Sequence, residues 1–541
     1  MIKKLLVAIF ILACVLRFWG LSVNPPALTW DEASWGYNAY TLGQTGKDEF
    51  GKFLPVTYLE SFGDFKPPMY AYLSVLPIKV FGLTEFATRF ASAFFGSLTV
   101  LVAFFLVREI FPTSPKKDHI ALFTSFLLAI SPWHILLSRG AFEANVATFF
   151  IVSGAYVFLF STKQKNNLYF LIFSFLSFLA AMYTFNTSRV FLPIFIPFLL
   201  YFRKDILLKN WVKFILTALP SIILFLPLFL FLITPQAKLR YQEVNIFSDI
   251  QVIERVNKEV ENDHNSTFSK IIHNRRLTYG VEYVRHYLDN LDPGFLFIHG
   301  DGNPKFSIQD VGQMYIWELP FLVLGAIFLF RKKEGSFVVI PLWLLLGIIP
   351  AATARETPHA LRIETVIPMM QILVAYGFIY SADYLFSKKN IKWIKPTGYI
   401  TASLVILSTF LYFAHNYFNN YPITYASEWQ YGYKQAVSYA ELHKEKYKNI
   451  YMTQGLGRPY IYALFYGRYP EGTLNSADIK REALGFVHVN SFGKYKFLND
   501  LPFDQNNSLY INIAEKTPKS AKIHENIKLP NNISTLVIYE K

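Results

Sequence analysis

Two adjacent carboxylates, Asp31 and Glu32, open a polar segment that lies between two strongly hydrophobic stretches of the sequence. The segment begins W-D-E-A-S-W-G-Y-N-A-Y and ends E-S-F-G-D-F-K-P-P-M-Y, which contributes Asp64 and Lys66. A carboxylate can act as a general base, and a lysine ammonium can stabilise a negative charge. Because ionisable groups are costly to hold beside hydrocarbon, their presence at a membrane face indicates a functional site.

The same charged residues also have a structural interpretation. Asp31 could cap a helix over A-S-W-G-Y-N-A-Y, and Glu32 would add favourable negative charge to its first turn. Alternatively, Glu32 raises the pKa of Asp31, since adjacent like charges disfavour ionisation. Lys66 precedes the rigid Pro67-Pro68 pair, which would hold its ammonium in a fixed position, although an interfacial lysine with a buried stem has the same pattern.

The composition of the chain is that of a polytopic membrane protein. Its 541 residues are 53% hydrophobic and 18% aromatic, and only 17% are charged, which is too apolar for an ordinary soluble enzyme. The net charge of +14 does not indicate nucleic-acid binding, because Lys and Arg cluster in short runs between hydrophobic stretches. The single cysteine, Cys14, lies within the first hydrophobic stretch and excludes an intrachain disulfide framework.

The hydrophobic stretches predict about eleven membrane-spanning helices, each of about twenty apolar residues, or fewer where neighbouring helices shield them. Their approximate ranges are 5–23, 86–110, 119–137, 144–161, 167–184, 189–202, 212–233, 316–330, 336–352, 363–386 and 396–414. The apolar segment 68–82 is short and contains Pro77 and Lys79, so we expect it to lie along the membrane interface. Two long polar loops, 24–84 and 234–314, separate spans.

Basic residues occur at the amino terminus and in every second loop, which fixes the predicted orientation. They are Lys3, Lys4, Lys116, Lys117, Lys163, Lys165, Arg203, Lys204, Lys209, Arg331, Lys332, Lys333, Lys388, Lys389, Lys392 and Lys395. The positive-inside rule therefore places the amino terminus and these loops in the cytoplasm. By parity, all the acidic candidates lie on the extracytoplasmic side, in the segments 24–84, 139–143, 234–314, 353–362 and 415–541.

The end of the chain, residues 421–541, differs in character from the rest and is called the tail below. A helix-like stretch, Ala426 to Tyr447, precedes short β-like runs such as N-I-Y-M-T, G-F-V-H-V and S-T-L-V-I-Y. This pattern predicts a small extracytoplasmic α/β domain at 421–541 after a mostly α-helical transmembrane domain at 1–420. The sequence contains no G-x-G-x-x-G, G-x-x-x-x-G-K-[ST] or H-E-x-x-H motif, so it predicts no nucleotide site.

The motifs of the chain resemble those of the GT-C superfamily of integral-membrane glycosyltransferases. The resemblance rests on the apolar first span, the loop x-x-D-E-A-x-x-G-Y, the later K-P-P-x-Y, the phrase R-F-A-S-A-F-F-G-S-L-T-V and the number of spans. It is strongest to the protein O-mannosyltransferase-like branch, which includes the lipid A aminoarabinose transferases. It covers residues 1–160 and continues more weakly to P-H-A-L-R-I-E-T-V-I-P.

The resemblance implies an inverting glycosyltransferase that moves a sugar from a polyprenyl-phosphate donor to a hydroxyl of a protein, lipid or glycan at the outer membrane face. The lack of a nucleotide-sugar motif agrees with a lipid-linked donor. The resemblance implies no required cofactor, although some relatives use a divalent cation. The short amino terminus and the lack of disulfides favour the plasma membrane of a bacterium or archaeon, with the endoplasmic reticulum as the alternative.

By the same resemblance, Asp31 is the general base, since family members use the first carboxylate of the D-E pair in that role. Glu32 would then orient the acceptor. Lys66 matches the phosphate-binding lysine of the aminoarabinose transferases, where many other relatives carry histidine. Glu143 aligns with a second acidic residue near the site, although an i,i+4 pair with Arg139 at a helix end would give the same pattern. Asp64 either pairs with Lys66, helps the acceptor or is a solvated loop carboxylate.

Further candidates lie in two outer loops. Arg355, His359 and Arg362 offer donors suited to a phosphate, but a cationic rim that contacts lipid headgroups would look the same. A Gly-rich turn with His299, Asp301 and Asn303 could bind a metal or an acceptor. Such a turn is also ordinary loop chemistry, and we predict no metal site from it.

Two other functions fit the composition. A transporter or flippase of lipid-linked sugars would carry ionisable groups or broken helices in the middle of its spans, and often internal repeats, whereas the charges here gather at the outer ends. In a membrane-anchored binding module that recognises its ligand through the tail, the D-E pair would be dispensable for function. A block oligosaccharyltransferase is disfavoured because the tail has no W-W-D-type motif.

Overall fold

The computed structural model describes residues 1–163, 168–209, 211–387, 394–482 and 486–541. Most of the described chain is α-helical, as the sequence predicted, and a β-sheet follows in the tail. Of the basic residues that orient the chain, Lys165, Lys388, Lys389 and Lys392 lie outside the described residues.

The helices before the large polar loop are α1 (Ile2–Phe18), α2 (Trp30–Thr45), α3 (Met69–Phe81), α4 (Glu85–Ile110), α5 (Lys117–Ile130), α6 (Pro132–Arg139), α7 (Glu143–Ser161), α8 (Leu168–Thr184), α9 (Ser188–Phe202), α10 (Lys204–Lys209) and α11 (Trp211–Leu232). That loop holds α12 (Pro235–Val244), α13 (Ile250–Asn262), α14 (Thr267–Ile272), α15 (Arg275–Asp289) and α16 (Pro293–Phe297). The chain continues with α17 (Glu318–Lys332), α18 (Val339–Ala352), α19 (Ile367–Ser387) and α20 (Ile394–His415), and the tail carries α21 (Tyr421–Thr424), α22 (Tyr433–His443) and α23 (Pro459–Gly467).

The apolar helices support an integral membrane protein. Within the described ranges, five helical segments are long and apolar enough to cross a membrane: Glu85–Ile110, Glu143–Ser161, Trp211–Leu232, Glu364–Leu385 and Lys395–Thr424. A sixth results if α5 and α6, which are bent by 55° at their junction, form one broken span. The helices α3, α8, α9 and α18 are apolar but shorter. The number of eleven spans and the orientation of the chain stay predictions.

Within the described residues, the strands form two separate sheets. In the first polar loop, β1 (Leu59–Ser61) and β2 (Asp64–Lys66) form an antiparallel hairpin. The tail strands are β3 (Asn449–Thr453), β4 (Asp478–Arg481), β5 (Val487–Phe492), β6 (Tyr495–Leu498), β7 (Ser508–Ile513), β8 (Lys522–Lys528) and β9 (Ser534–Glu540). Their order is β4-β5-β6-β3-β7-β9-β8, in which β3 is parallel to β6 and β7 and the other pairs are antiparallel. The predicted β-sheet region of the tail is therefore confirmed.

The helices of the tail differ from the prediction. The predicted helix from Ala426 to Tyr447 is interrupted before α22 at Gly432, whose φ is +117°, a backbone conformation that glycine adopts readily but a right-handed helix excludes. A further helix, α23, follows β3 and was not predicted. It begins at Pro459, and proline is favoured in the first turn of a helix because its φ is already helical.

Spatial contacts divide the chain into two units. One comprises Met1–Ala13, Gly96–Leu136 and Ala144–Leu411, and the other comprises Cys14–Phe95, Leu137–Glu143 and Tyr412–Lys541. The second unit contains the first polar loop together with the whole tail. Its hydrophobic core includes Tyr37 and Ala39 of α2 as well as Leu464 and Phe465 of α23, each at most 1% exposed. The division into functional domains 1–420 and 421–541 stays a prediction.

Candidate active site

A capping box between Thr29 and Glu32 fixes the start of α2. The Thr29 hydroxyl accepts a hydrogen bond from the Glu32 amide (3.2 Å), and the Glu32 carboxylate accepts one from the Thr29 amide (3.0 Å). This reciprocal pair satisfies two amides that a helix start otherwise leaves unbonded. The interpretation of Asp31 as the helix cap is therefore wrong, and the Asp31 side chain is 53% exposed. The sequence T-W-D-E carried the signal for this cap.

Asp31 forms an ion pair with Lys66, from which it is 35 residues distant in sequence. The Lys66 ammonium donates a hydrogen bond to Oδ1 of Asp31. The same ammonium lies 5.3 Å from the centroid of the Trp35 ring and 5.0 Å from that of Phe62, and aromatic faces attract a cation at such distances. Because only 11% of the Lys66 side chain is exposed, its charge is held in place beside an accessible carboxylate.

Two further carboxylates belong to the same cluster. Asp64 begins β2, which ends at Lys66, and Glu143 is the first residue of α7. Glu143 interacts electrostatically with Lys66, Asp31 and Asp64. The structure thus brings together four of the residues that the sequence singled out, three carboxylates and the Lys66 ammonium.

The structural alternative for Glu143, an i,i+4 pair with Arg139, does not form. The two residues lie on different helices, because α6 ends at Arg139 and α7 starts at Glu143. In the described chain, the Arg139 guanidinium donates instead to the carbonyls of Leu16 (3.0 Å) and Asn24 (2.7 Å) and to the Tyr417 hydroxyl (3.2 Å). Arg139 therefore ties the connector before α7 to the start of the first polar loop.

Glu32 lies in a buried ion pair with Arg89 that the sequence did not predict. Nε and Nη2 of Arg89 donate to the two Glu32 oxygens at 2.8 and 3.1 Å, and the Ala141 amide adds a third bond at 2.9 Å. The two side chains are at most 1% exposed. This arrangement favours a structural role for Glu32 over the predicted orientation of an acceptor. An arginine inside the predicted span 86–110 was the available signal, since charges in spans usually have a partner or a function.

Glu49 is a second buried carboxyl that sequence patterns did not reveal. Its side chain is 2% exposed in the core of the second unit, its amide donates to the Asn38 side chain at 2.9 Å, and the Tyr460 hydroxyl donates to its carboxylate at 3.4 Å. Burial raises the pKa of Glu49 to about 8, although a hydrogen bond with Ser61 and the charge of Lys66 oppose the rise. At neutral pH the Glu49 carboxyl therefore retains its proton.

The contribution of Glu49 to stability is expected to fall as the pH rises from 4.5 to about 8. In that window the folded protein retains the Glu49 proton while the unfolded chain has released it, so deprotonation favours unfolding. The Glu49→Gln variant cannot ionise at this position, and its thermal unfolding temperature should fall less than that of the wild type over the same range. Parallel unfolding curves for the two proteins from pH 5 to pH 9 would contradict this prediction.

Two of the predicted phosphate ligands in the 353–362 loop have protein partners. Arg355 donates to the carbonyls of Asn245 and Ser248 at 3.1 and 3.2 Å. Arg362 donates to the carbonyl of Glu356 at 2.8 Å. Arginine presents five donors in a fixed fork, so these bonds use part of each guanidinium to hold the loop in shape.

His359, the third predicted ligand, is buried beside Asp301. The Asp301 carboxylate accepts hydrogen bonds from the amides of Ala360 (2.7 Å) and Asn303 (2.8 Å), and its Oδ2 lies 3.9 Å from Nδ1 of His359. Burial, together with the charge of Arg362, lowers the pKa of His359 to about 3, so the ring is neutral and has no charge to offer a phosphate. The hydrogen bond from Ala360 thus connects Asp301 to the 353–362 loop. Within the described residues, no three His, Cys, Asp or Glu side chains are placed to hold a metal ion.

Comparison with known proteins finds relatives for part of the chain. Residues 65–231 match the family model described as dolichyl-phosphate-mannose-protein mannosyltransferase. An uncharacterized protein from Aquifex aeolicus (strain VF5) is 30% identical over 174 residues, which is 32% of this chain and 32% of that protein. The chain thus matches about a third of the length of this relative.

The fold is similar to that of ArnT from Cupriavidus metallidurans. The crystal structure of ArnT in the apo state matches with a TM-score of 0.52 at 13% identity, over 99% of this chain and 98% of that chain. The structure of the same protein bound to undecaprenyl phosphate matches with a TM-score of 0.53 at 13% identity, over 98% and 97% of the two chains. At this identity the likeness establishes the fold alone. With the family-model match, it confirms the resemblance that the sequence motifs indicated.

Proposed function

We propose that this chain, which has the fold of the GT-C glycosyltransferases of the ArnT and protein O-mannosyltransferase type, transfers a sugar from a polyprenyl-phosphate donor to a hydroxyl acceptor. The ion pair between Asp31 and Lys66 carries the proposal. It sets an accessible carboxylate, suited to act as a base, against a largely buried ammonium, suited to hold a phosphate. A family model named for dolichyl-phosphate mannose and a similar fold with bound undecaprenyl phosphate support this class of donor.

The proposed reaction is a single displacement with inversion at the anomeric carbon. Asp31 takes the proton of the acceptor hydroxyl while the hydroxyl oxygen forms its new bond to the anomeric carbon. The bond from that carbon to the phosphate oxygen breaks, and its electron pair leaves with polyprenyl phosphate. Lys66 stabilises the negative charge that the phosphate gains.

Donor binding replaces one partner of Lys66 by another. In the ion pair, the ammonium is bound to Asp31, and an arriving phosphate competes for the same donor because its charged oxygens also accept charge-assisted hydrogen bonds. When the phosphate takes the ammonium, the Asp31 carboxylate is released to accept a proton. Lys66 already supplies the positive charge at this cluster, so no step is assigned to a metal ion.

The remaining residues are assigned secondary roles in the proposal. Asp64 and Glu143 orient the acceptor, since they share the cluster with the base and their carboxylates accept hydrogen bonds from hydroxyl groups. Arg355, His359 and Arg362, which belong to the other unit, are proposed phosphate-binding residues, the histidine as a neutral hydrogen-bond donor. The acceptor is a protein, lipid or glycan at the extracytoplasmic face of the plasma membrane, in keeping with the distribution of Lys and Arg.

Incubation of the purified protein with a panel of polyprenyl-phosphate sugars tests the proposal. We expect one donor to release polyprenyl phosphate in step with the appearance of a glycosylated acceptor. Movement of the intact lipid-linked sugar across a vesicle membrane, without cleavage of the sugar–phosphate bond, would identify a transporter instead. Donor binding with neither transfer nor movement would identify a binding module.

The Lys66→Ala variant is expected to bind polyprenyl phosphate about 10- to 150-fold more weakly than the wild type, since a hydrogen bond to a charged group contributes roughly 1.5–3 kcal/mol. Lys66→Arg should keep part of the affinity because it keeps the charge. Lys52→Ala is the matched control, because Lys52 is an exposed lysine of the same loop whose ammonium contacts the Tyr58 ring. Equal affinities of Lys66→Ala and Lys52→Ala in equilibrium binding would exclude Lys66 from the phosphate site.

A further inference from the structure

The turn of the β1–β2 hairpin has an unusual backbone. It consists of Phe62 and Gly63, whose φ angles are +61° and +86°. Positive φ angles suit a two-residue hairpin turn, and glycine adopts them readily, but a phenylalanine in this region is an outlier. Such a conformation persists only where the surrounding structure fixes it, and it is frequent at functional sites.

The tail supplies the contacts that fix Phe62. The Val487 amide donates a hydrogen bond to the Phe62 carbonyl at 3.0 Å. The Arg458 guanidinium lies 5.2 Å from the centroid of the Phe62 ring, and the Tyr460 ring meets it edge-on at 5.7 Å. Arg458 is in turn bound to the Val487 carbonyl at 3.2 Å. These contacts leave Phe62 only 5% exposed.

The same phenyl ring also contacts the proposed phosphate ligand. Nζ of Lys66 lies 5.0 Å from the centroid of the Phe62 ring. Two cations, Arg458 from the tail and Lys66 from the active site, therefore share one aromatic ring. The attraction of a cation to a ring grows when water is excluded, so a shift of the Phe62 ring alters where the Lys66 ammonium is held.

A second contact of the tail reaches the start of α2, next to the proposed base. The loop 454–458 follows β3, which lies between its two parallel neighbours, β6 and β7. The chain thus adds strands on both sides of β3, and open parallel sheets commonly bind ligands at such a point. Trp30 packs on this loop so closely that a Cβ on Gly457 would lie 2.9 Å from its ring. Gly36 approaches Phe465 of α23 in the same way, since a Cβ there would lie 2.5 Å from that ring.

We propose that the tail positions the catalytic pair, and that Phe62, held by Arg458, orients the Lys66 ammonium toward the donor phosphate. The inference rests on the proposed function, because it takes Lys66 to be the phosphate ligand. Phe62 and Arg458 are positioning residues that act through Lys66. The tail then helps to position the active site from outside it.

This inference is tested by measuring how much more tightly the full-length protein binds a short-chain polyprenyl phosphate than the matching polyprenol. The ratio of the two affinities is called the preference below. Loss of an oriented ammonium lowers that preference, whereas general damage to the fold weakens the binding of both lipids alike. We expect Phe62→Leu and Arg458→Gln each to lower the preference about tenfold. The double variant should lower it little further, because both residues act on the same group, and Phe62→Tyr should keep a preference close to that of the wild type.

Two tail variants serve as controls. Arg468→Gln is matched to Arg458→Gln, because the two arginines flank opposite ends of α23. They also have similar backbone conformations, with φ of +53° at Arg468 and +51° at Arg458. Phe497→Leu trims a fully buried phenylalanine of β6. Both should keep the preference of the wild type. If Phe62→Leu does not fold, Arg458→Gln decides, because Arg458 is partly exposed and its replacement leaves the core intact.

The Lys66→Ala variant, measured in the same assay, separates a failure of this inference from a failure of the proposed function. If Lys66→Ala keeps the wild-type preference for phosphate, Lys66 is not the phosphate ligand and both proposals are overturned. If Lys66→Ala loses the preference while Phe62→Leu and Arg458→Gln retain it, the positioning role is overturned and the proposed function stands.

Discussion

The Asp31→Asn variant is expected to transfer sugar about 10²- to 10⁴-fold more slowly than the wild type, which is the range that a positioned general base contributes to catalysis. The amide has nearly the size of the carboxylate but cannot take the proton of the acceptor hydroxyl. The variant should bind polyprenyl phosphate at least as tightly as the wild type, because the carboxylate that competes for Lys66 is neutralised. Loss of transfer with retained donor binding is the pattern specific to a missing base.

Single-turnover transfer and equilibrium binding, measured on the same preparations of Asp31→Asn, distinguish the chemical step from donor binding. The matched control is Glu60→Gln, which makes the same change of charge in the neighbouring hairpin. Glu60 pairs with Arg481 instead of Lys66, so Glu60→Gln should transfer at a rate close to that of the wild type. An unchanged rate in Asp31→Asn would show that another group is the base.

The hydrophobic helices could be located closely from the sequence, because burial in hydrocarbon leaves a strong local signal. α4 extends over Glu85–Ile110, and the predicted span was 86–110. The tail was harder to predict, since its helices are short. α23 reads P-Y-I-Y-A-L-F-Y-G, and its aromatic residues favour a strand. Only its initial proline and terminal glycine indicated a helix.

The members of the candidate site could be predicted only where a motif marks them. Asp31 and Lys66 each lie in a short charged motif beside a hydrophobic stretch, but their contact depends on a hairpin of three-residue strands. Arg89 and Glu49 were missed because tertiary packing decides their environment. The partner of Arg89, Glu32, is 57 residues away, and no local pattern connects the two.

The composition of the chain also did not reveal how the tail relates to the first polar loop. A change from apolar to mixed sequence near residue 421 marks where the chain leaves the predicted spans. It does not mark the end of a folded unit, since the second unit combines Cys14–Phe95 with Tyr412–Lys541. Side chains of α2 and α23 share its core. The helix that carries the proposed base is therefore packed against the tail.

The Arg89→Ala variant is expected to lose about 3–5 kcal/mol of stability, because it leaves the Glu32 carboxylate buried without its cation. That loss is a large share of the roughly 5–15 kcal/mol by which folded proteins are stable. Glu32 also accepts hydrogen bonds from the amides of Thr29 and Ala141. A displaced Glu32 would therefore loosen the start of α2, and sugar transfer should fall together with stability. Thermal unfolding of the purified protein in detergent measures the first effect.

Arg108→Ala, on the same helix, provides the control for Arg89→Ala. Arg108 pairs with Asp118 at 2.9 Å, but the two side chains are 42% and 31% exposed, and exposed ion pairs contribute only about 0–1 kcal/mol. The double variant Glu32→Gln/Arg89→Met should regain part of the lost stability, because it leaves no unpaired charge in the interior. If Arg89→Ala unfolds at the same temperature as Arg108→Ala, the buried pair does not hold the helix of the proposed base in place.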